Sequence, residues 1–309
     1  MQVEKQLAKV KPERETMVSI GVFDGVHLAH QQLLTRLRDE AKAKNRLSVV
    51  VTFKSHPEVV LGGQNRLLWL NDLETRINLI RDIDVDIIIA LPFSPELAQL
   101  SAQKFIELLR EYLKMRGLIV GPDFALGQNR EGDAEKLREL GNAMDFTVEV
   151  IPAVVVDGIV VSSSAIRKAL ADGDMKIVEK LTGRLFSLRG RVVSGDRRGR
   201  ELGFPTANLH FKPDQALPAD GIYATITHTG VHSLPSVTNI GVRPTFGGKN
   251  RLVETYILDF DGDLLGQDLT VDMVERLRDE KRFDSVELLK AQMTKDVEQA
   301  RQILRQRMK

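Results

Sequence analysis

Four almost unbroken apolar runs constrain the first half of this 309-residue chain more than any other feature. LSVVVTF (47–53), VDIIIALPF (85–93), GLIVGPDF (117–124) and TVEVIPAVVV (147–156) read as strands. Runs so poor in polar residues suit strands buried on both faces. Segments with helical spacing lie between them, at 30–43, 72–82, 95–114 and 133–143. In the first of these, Leu33, Leu34, Leu37 and Ala41 share one helical face. A further apolar stretch, TMVSIGVF, precedes that helix and reads as another buried strand. Strand and helix in alternation predict an α/β domain on a parallel sheet. A last helix, SSAIRKALADGD, starts at Ser163 and ends at Gly173.

The texture changes after residue 183. SLRGRVVSG, GIYATITHTG, SVTNIGV, VETYILDF and QDLTVDMVERL are short β-like runs divided by Gly, Pro and Asn. They predict a small antiparallel barrel or sandwich. From Ser285 onward Leu288, Met293, Val297 and Ile303 fall near helical spacing, so the tail reads as a closing helix. The expected division is 1–183 and 184–309.

Composition narrows the functions available. Lys plus Arg is 44 and Asp plus Glu is 43, a formal net charge of +1. With only 5% aromatic residues, this balance argues against a nucleic-acid platform or a membrane-surface protein. Cysteine is absent, which excludes disulfides, thiolate nucleophiles and Cys-ligated metals. No apolar run approaches the ~20 residues needed to span a bilayer. The segment MQVEKQLAKVKPERE is too charged for a signal peptide, so a cytoplasmic protein is expected.

Four polar islands of the first half fall where ligands bind in open α/β sheets, at the C-terminal ends of the strands. GVFDGVHLAH places His27 and His30 where a strand becomes a helix. Unpaired N–H groups and the helix dipole favour an anion there. TFKSHPE carries Thr52 and His56, and GPDFALGQNREGD carries Asp123, Asn129 and Arg130. VSSSAIRKAL sets Ser162, Ser163, Ser164 and Arg167 at a helix start. Hydroxyls, helix N-termini and an arginine are groups that hold phosphates. Taken singly, the histidines also fit a pair on one helix face, the serines an N-cap, Asp123 a turn and His56 a loop before Pro57.

The second half carries GRVVSGDRRGRELGFPTANL (190–209). It matches neither common phosphate-loop pattern. Gly-rich backbone beside Arg197, Arg198 and Arg200 nevertheless suits a polyphosphate, although the arginines alone fit solvated loop charges. Thr206 and Asn208 would point to one side of an extended strand, and their oxygens suit Mg²⁺. Glu254 alone fits a solvent-facing strand residue. The acidic stretch DFDGDLLG reads as a hairpin turn.

Together these motifs resemble a known family. FDGVHLAH is similar to the HxGH signature of nucleotidyltransferases, and SSSAIR to their SSTxIR signature. With GPDFALGQNREGD between them, the match is to the adenylyltransferase module of the prokaryotic bifunctional riboflavin kinase/FAD synthetases. GRELGFPTANL, PADGIYA, VTNIGVRPTF and VETYILDFDGDLLGQ resemble the riboflavin kinase module of the same family.

The resemblance implies a Rossmann-like nucleotidyltransferase domain and a kinase barrel. It implies conversion of riboflavin to FMN and of FMN to FAD, with ATP as co-substrate, ADP and pyrophosphate as products, and Mg²⁺. It also implies that His27, His30 and Arg167 polarise the ATP phosphates in the first module. Glu254 would accept the proton of the riboflavin 5′-hydroxyl in the second. Gly21, Phe23, Asp24, Ser162, Ser163, Ser164, Gly195, Arg200, Gly203 and Pro205 would then meet ATP. His56, Asp123, Asn129, Arg130, Gly221, Tyr223, Asn239, Arg243 and Glu280 would flank the flavin, and Thr206 and Asn208 would hold the metal. The chain departs from the family at Ala29, where Gly is usual, and at Ser164, which replaces Thr. A methyl group at 29 crowds the place where backbone approaches phosphate.

Overall fold

A computed structural model describes residues 1–60, 62, 68–195, 199, 202–230, 232–245 and 248–307, without the side chains of 58, 59, 243–245 and 248–250. The chain divides into two compact units, Met1–Ser163 and Ser164–Lys309.

The first unit runs α1 (Gln2–Leu7), β1 (Thr16–Ile20), α2 (Leu28–Ala43), β2 (Leu47–Phe53), α3 (Pro57–Val60), α4 (Leu73–Arg81), β3 (Ile87–Leu91), α5 (Pro95–Ala98), α6 (Ala102–Leu113), β4 (Met115–Val120), α7 (Ala134–Met144), β5 (Thr147–Val150), β6 (Val155–Val156) and β7 (Ile159–Val160). Five strands form a sheet in the order β3-β2-β1-β4-β5, and every pair is parallel. Alternate side chains serve opposite faces. Val18, Val49 and Val51 join Phe105, Ile106 and Leu109 of α6, while Met17 and Val50 join Leu33, Leu34 and Leu37 of α2. Both faces are covered, which is why the runs lack polar alternation. Capping fixes the helix starts: Asp72 accepts from Thr75 N at 2.8 Å and Asp133 from Lys136 N at 2.9 Å.

Three expected elements have different limits. The helix expected over 95–114 is two, because Ser101 caps a new start by accepting from Lys104 N at 3.1 Å. Lys114 turns left-handed and ends α6, so β4 begins at Met115 and stops before Gly121-Pro122. The strand expected over 147–156 ends at Val150, and Val155–Val156 pairs with Ile159–Val160 in a separate hairpin. Pro152 offers no N–H for a continuing ladder.

The second unit contains most of α8 (Ser163–Asp172), then α9 (Met175–Thr182), β8 (Phe186–Val193), β9 (Ala207–His210), β10 (Gly221–Thr229), β11 (His232–Thr245), β12 (Gly248–Ile257), β13 (Asp268–Arg278) and α10 (Val286–Arg307). The strands close a barrel in the order β10-β11-β12-β9-β8-β13. Sequence reading missed α9. Thr225, Thr238 and Thr255 are fully buried hydroxyls, while the intervening Ala224 and Ile226 pack with Ala300 and Leu304 of α10.

Two expectations are corrected here. DFDGDLLG is not a hairpin turn, because β12 pairs with β11 and β9 while β13 pairs with β10 and β8. The segment crosses between strands that are not neighbours, and Asp259 receives a two-pronged ion pair from Arg301 of α10 at 2.6 and 2.7 Å. Leu288 is 55% exposed, so it does not belong to the packed face of the closing helix; Ala300 and Leu304 do.

That assignment is testable by urea unfolding. Leu304→Ala should cost about 2–5 kcal/mol, as buried leucines do. Leu288→Ala should stay within about 0.5 kcal/mol of the parent. Equal costs would contradict the packing of α10.

Candidate functional sites

The first site surrounds the turn between β1 and α2. Its backbone is strained: Phe23, Gly25 and Val26 have φ of +53°, +82° and +37°. Valine tolerates such a φ poorly, and strain of this kind persists only where the surroundings impose it. Several contacts impose it. The buried Asp24 carboxylate accepts from Leu70 N at 3.1 Å and Asn71 N at 3.3 Å. Ser163 Oγ donates to the Asp24 carbonyl at 2.8 Å, and Thr52 Oγ1 donates to the Val22 carbonyl at 3.0 Å. At Gly25 a Cβ would also press on Leu70.

His27 caps α2, its Nδ1 accepting from His30 N at 3.4 Å. In the neutral ring the proton therefore sits on Nε2, a hydrogen-bond donor. The two rings stack with centroids 3.6 Å apart, and Phe23 meets His30 edge-on at 5.2 Å. Phe23 and Asp24 are thus buried builders of the turn, next to the half-buried Gly21. Ala29 lies in the first turn of α2.

Beside this turn lies a cluster that sequence reasoning missed. Arg76, on the buried face of α4, is 1% exposed, and its Nη2 donates to the Phe53 carbonyl at 2.6 Å. Its guanidinium lies 4.5 Å from the centre of the Trp69 ring, and Trp69 meets His56 edge-on at 5.4 Å. Burial lowers the Arg76 pKa, opposed by Asp24 and Asp72. The available signal was a cation one helical turn before the buried Ile80. Asp123 and Arg130 meet on the loop after β4, where Arg130 Nη2 donates to the Asp123 carbonyl at 2.8 Å. Both line a shallow depression with Phe124 and Arg138. Asn129 sits in a short 3-10 turn with φ of +53°. Ser162 is half-buried and Ser164 exposed; Arg167 stands one turn into α8.

The second site is a cavity of about 400 Å³ between the outer face of the barrel and α10. Register builds it. Asn208 on β9 pairs with Glu254 on β12, and Glu254 pairs with Asn239 on β11. Directly paired residues share a face, so these three form one row. All three line the cavity, with Thr206 and Glu280. Glu280 lies so close to β11 that a Cβ at Gly241 would run into its carboxylate. Burial raises the Glu280 pKa, as does Asp220; a hydrogen bond from Asn239 opposes this and Glu254 adds to it.

The cavity brings together five of the expected residues and omits others. Gly195, Gly203, Pro205, Gly221 and Tyr223 do not line it, although a Cβ at Gly195 would collide with the Asn208 amide. Tyr223 is buried, donates its hydroxyl to the Ala219 carbonyl at 2.6 Å, and has its pKa pushed up to about 12 by burial. Arg197, Arg198, Arg200 and the side chain of Arg243 lie outside the described residues. Sequence reading missed Tyr256, Arg278, Phe283 and Asp296, which also line the cavity.

Comparisons with known proteins agree with this division. A family model for FAD synthetase matches residues 9–165, and one for riboflavin kinase matches 182–304. A curated bifunctional riboflavin kinase/FMN adenylyltransferase from Escherichia coli K12 is 36% identical over 293 residues, 94% of this chain and 93% of that protein. Its namesake from Pseudomonas fluorescens is 38% identical, covering 97% of each. The crystal structure of a protein named macrolide-efflux protein, from Streptococcus pneumoniae, matches with a TM-score of 0.88 and 31% identity over 96% of this chain and 97% of that one. That name speaks of efflux; no helix among the described residues here is long and apolar enough to cross a membrane.

The Glu280 environment has a pH consequence. A carboxyl whose pKa is higher folded than unfolded lends stability that is complete below the unfolded value and lost as pH rises through the folded one. Glu280→Gln carries no charge, so in urea unfolding it should gain on the parent as pH rises from about 4 to 7. A stability difference that ignores pH would refute the burial effect.

Proposed function

This chain belongs to the bifunctional riboflavin kinase/FMN adenylyltransferase family, and on that premise we propose how its own residues share the two reactions. It phosphorylates riboflavin to FMN with ATP and adenylylates FMN to FAD. The adenylyltransferase module is 1–183 and the kinase module 184–309; this boundary falls two residues inside the kinase match, which begins at 182, whereas the compact units divide at 163/164. Both reactions consume ATP, and the cytoplasm is the proposed setting.

In the kinase reaction the 5′-hydroxyl of riboflavin attacks the γ-phosphorus of ATP and ADP leaves. A neutral alcohol is a poor nucleophile, and Glu254 accepts its proton during transfer. The observation that carries this assignment is the row Asn208–Glu254–Asn239 along one cavity wall. The Thr206 hydroxyl and Asn208 amide line the same cavity and offer hard oxygen donors two positions apart, which fits Mg²⁺. When bound, the ion would offset charge on the transferring phosphate. Asn239 and Glu280 flank the flavin.

In the adenylyl transfer an oxygen of the FMN phosphate attacks the α-phosphorus of ATP, and the bond to the bridging oxygen breaks as pyrophosphate leaves. The nucleophile is already an anion, so the protein orients the two partners and stabilises charge on the leaving group. His27 donates through Nε2 and His30 stacks against it. Arg167 supplies a permanent charge for the ATP phosphates, with the Ser162–Ser164 helix start as a further anion site. His56, Asp123, Asn129 and Arg130 are the flavin-side residues of this module.

Pure protein with riboflavin, ATP and MgCl₂, followed by chromatography, tests both halves. Glu254→Gln should slow FMN formation by about 10²-fold or more while FAD still forms from supplied FMN. His30→Ala should do the reverse. Unchanged FMN turnover in Glu254→Gln removes that carboxylate from the chemistry. Ala29→Gly reads the effect of the extra methyl: faster FAD formation than in the parent shows crowding, and an equal rate clears Ala29.

A further inference from the structure

One buried ion pair joins the parts of the kinase cavity that strand pairing does not. Asp296 lies in the middle of α10, is 4% exposed, and accepts from Arg278 Nε at 2.9 Å, Arg278 Nη2 at 2.7 Å and Gln292 Nε2 at 2.8 Å. Arg278 is the last residue of β13. It pairs with Ile222 on β10, which pairs with Asn239 on β11, so its backbone stands at the same level of the barrel as Glu254. Its Nη1 donates to the Asp279 carbonyl at 2.9 Å, and its guanidinium carbon lies 5.8 Å from the centre of the Phe283 ring. A single side chain therefore grips the end of the barrel strand, the loop carrying Glu280 and Phe283, and the helix carrying Met293 and Val297. All of these line the cavity.

We propose that the Arg278–Asp296 pair is a positioning device that sets the loop and α10 against the barrel and thereby governs how tightly the riboflavin acceptor is held. This rests on the kinase reading of the cavity. Two arguments favour positioning over stability. Desolvating a carboxylate and a guanidinium offsets most of their attraction, so apolar residues could close the same contact without loss. The two-pronged Arg–carboxylate geometry also fixes orientation, which a point charge or an apolar contact does not. Arg278 stands at the end of the row that holds Glu254, but its Nε, Nη1 and Nη2 and both Asp296 oxygens are engaged with protein partners, so the pair acts through the wall it orients and not on the reacting atoms.

The test is a titration of riboflavin with full-length protein, read by flavin fluorescence, alongside steady-state kinetics. Asp296→Asn and Arg278→Lys should each raise the riboflavin Kd and KM by about 10-fold or more, as expected when a buried charge pair at a binding site is broken. The KM for ATP and kcat should change by less than about 3-fold. Arg301→Ala, which removes the ion pair between the same helix and Asp259, should leave the riboflavin Kd unchanged. An unaltered riboflavin Kd in the two pair variants overturns the proposal. So does an equal loss of ATP and riboflavin binding, or an equal effect of Arg301→Ala. If Asp296→Asn does not fold, Arg278→Lys decides alone. The titration needs no turnover, so its outcome is separate from a failure of the kinase reading, which would appear as parent enzyme that makes no FMN.

Discussion

Strand pairing fixes side-chain direction with a period of two, and the closed barrel applies that rule around a whole ring of strands. A slip of one residue between β12 and either neighbour would turn Glu254 into the barrel and bring Thr255 out. The interior opposes such a slip chemically. Thr225 meets Ser236 at 2.7 Å and Thr238 at 2.8 Å, and Thr238 meets Thr255 at 3.0 Å, all fully buried. Each hydroxyl depends on the next for its partner, and a shift would strand several at once. An apolar interior would tolerate alternative registers far better. The cluster of hydroxyls inside the barrel thus protects the arrangement of Asn208, Glu254 and Asn239 on its outer face.

The first unit applies the same alternation to an open parallel sheet and places its site differently. β1 lies between β2 and β4, so connections leaving the sheet diverge beside it, the place where open α/β sheets bind ligands. Backbone conformation does much of the positioning there. The strained residues 23–26 are held from three directions: from segment 70–71 through the Asp24 carboxylate, from Ser163 through the Asp24 carbonyl, and from Thr52 through the Val22 carbonyl. Strain so heavily constrained aims the start of α2, where His27 serves as cap and hydrogen-bonding group together.

Much of this was legible from periodicity. Runs buried on both faces announced the parallel sheet, and the helical segments expected over 72–82 and 133–143 are present as Leu73–Arg81 and Ala134–Met144. The limits of reading lay where one residue overrides a pattern. Pro152 cut a strand that its apolar neighbours would have prolonged, and Ser101 restarted a helix in mid-run. DFDGDLLG carried a strong local turn signal, yet the order of strands in a closed barrel is a non-local fact that no short segment encodes. The motif residues Thr206, Asn208, Asn239, Glu254 and Glu280 converge on one cavity, because motifs mark chemistry even where topology is hidden.

Three of the residues that pattern reading passed over share one physical trait. Arg76, Asp296 and Arg278 are ionic groups on faces that hydropathy assigns to the core, and each is buried or nearly so. A charge in such a place costs desolvation energy that the fold must offset with partners. Arg76 has a carbonyl, an indole face and nearby carboxylates; Asp296 has a guanidinium fork and an amide. Both clusters border one of the two sites and neither completes a sheet or helix. Local violations of the binary pattern are expected where function, and not packing alone, chose the residue. A cation one turn before a buried isoleucine, or an aspartate between the cavity-lining Met293 and the buried Ala300 of a closing helix, is therefore a better pointer to a binding wall than another apolar position at the right spacing.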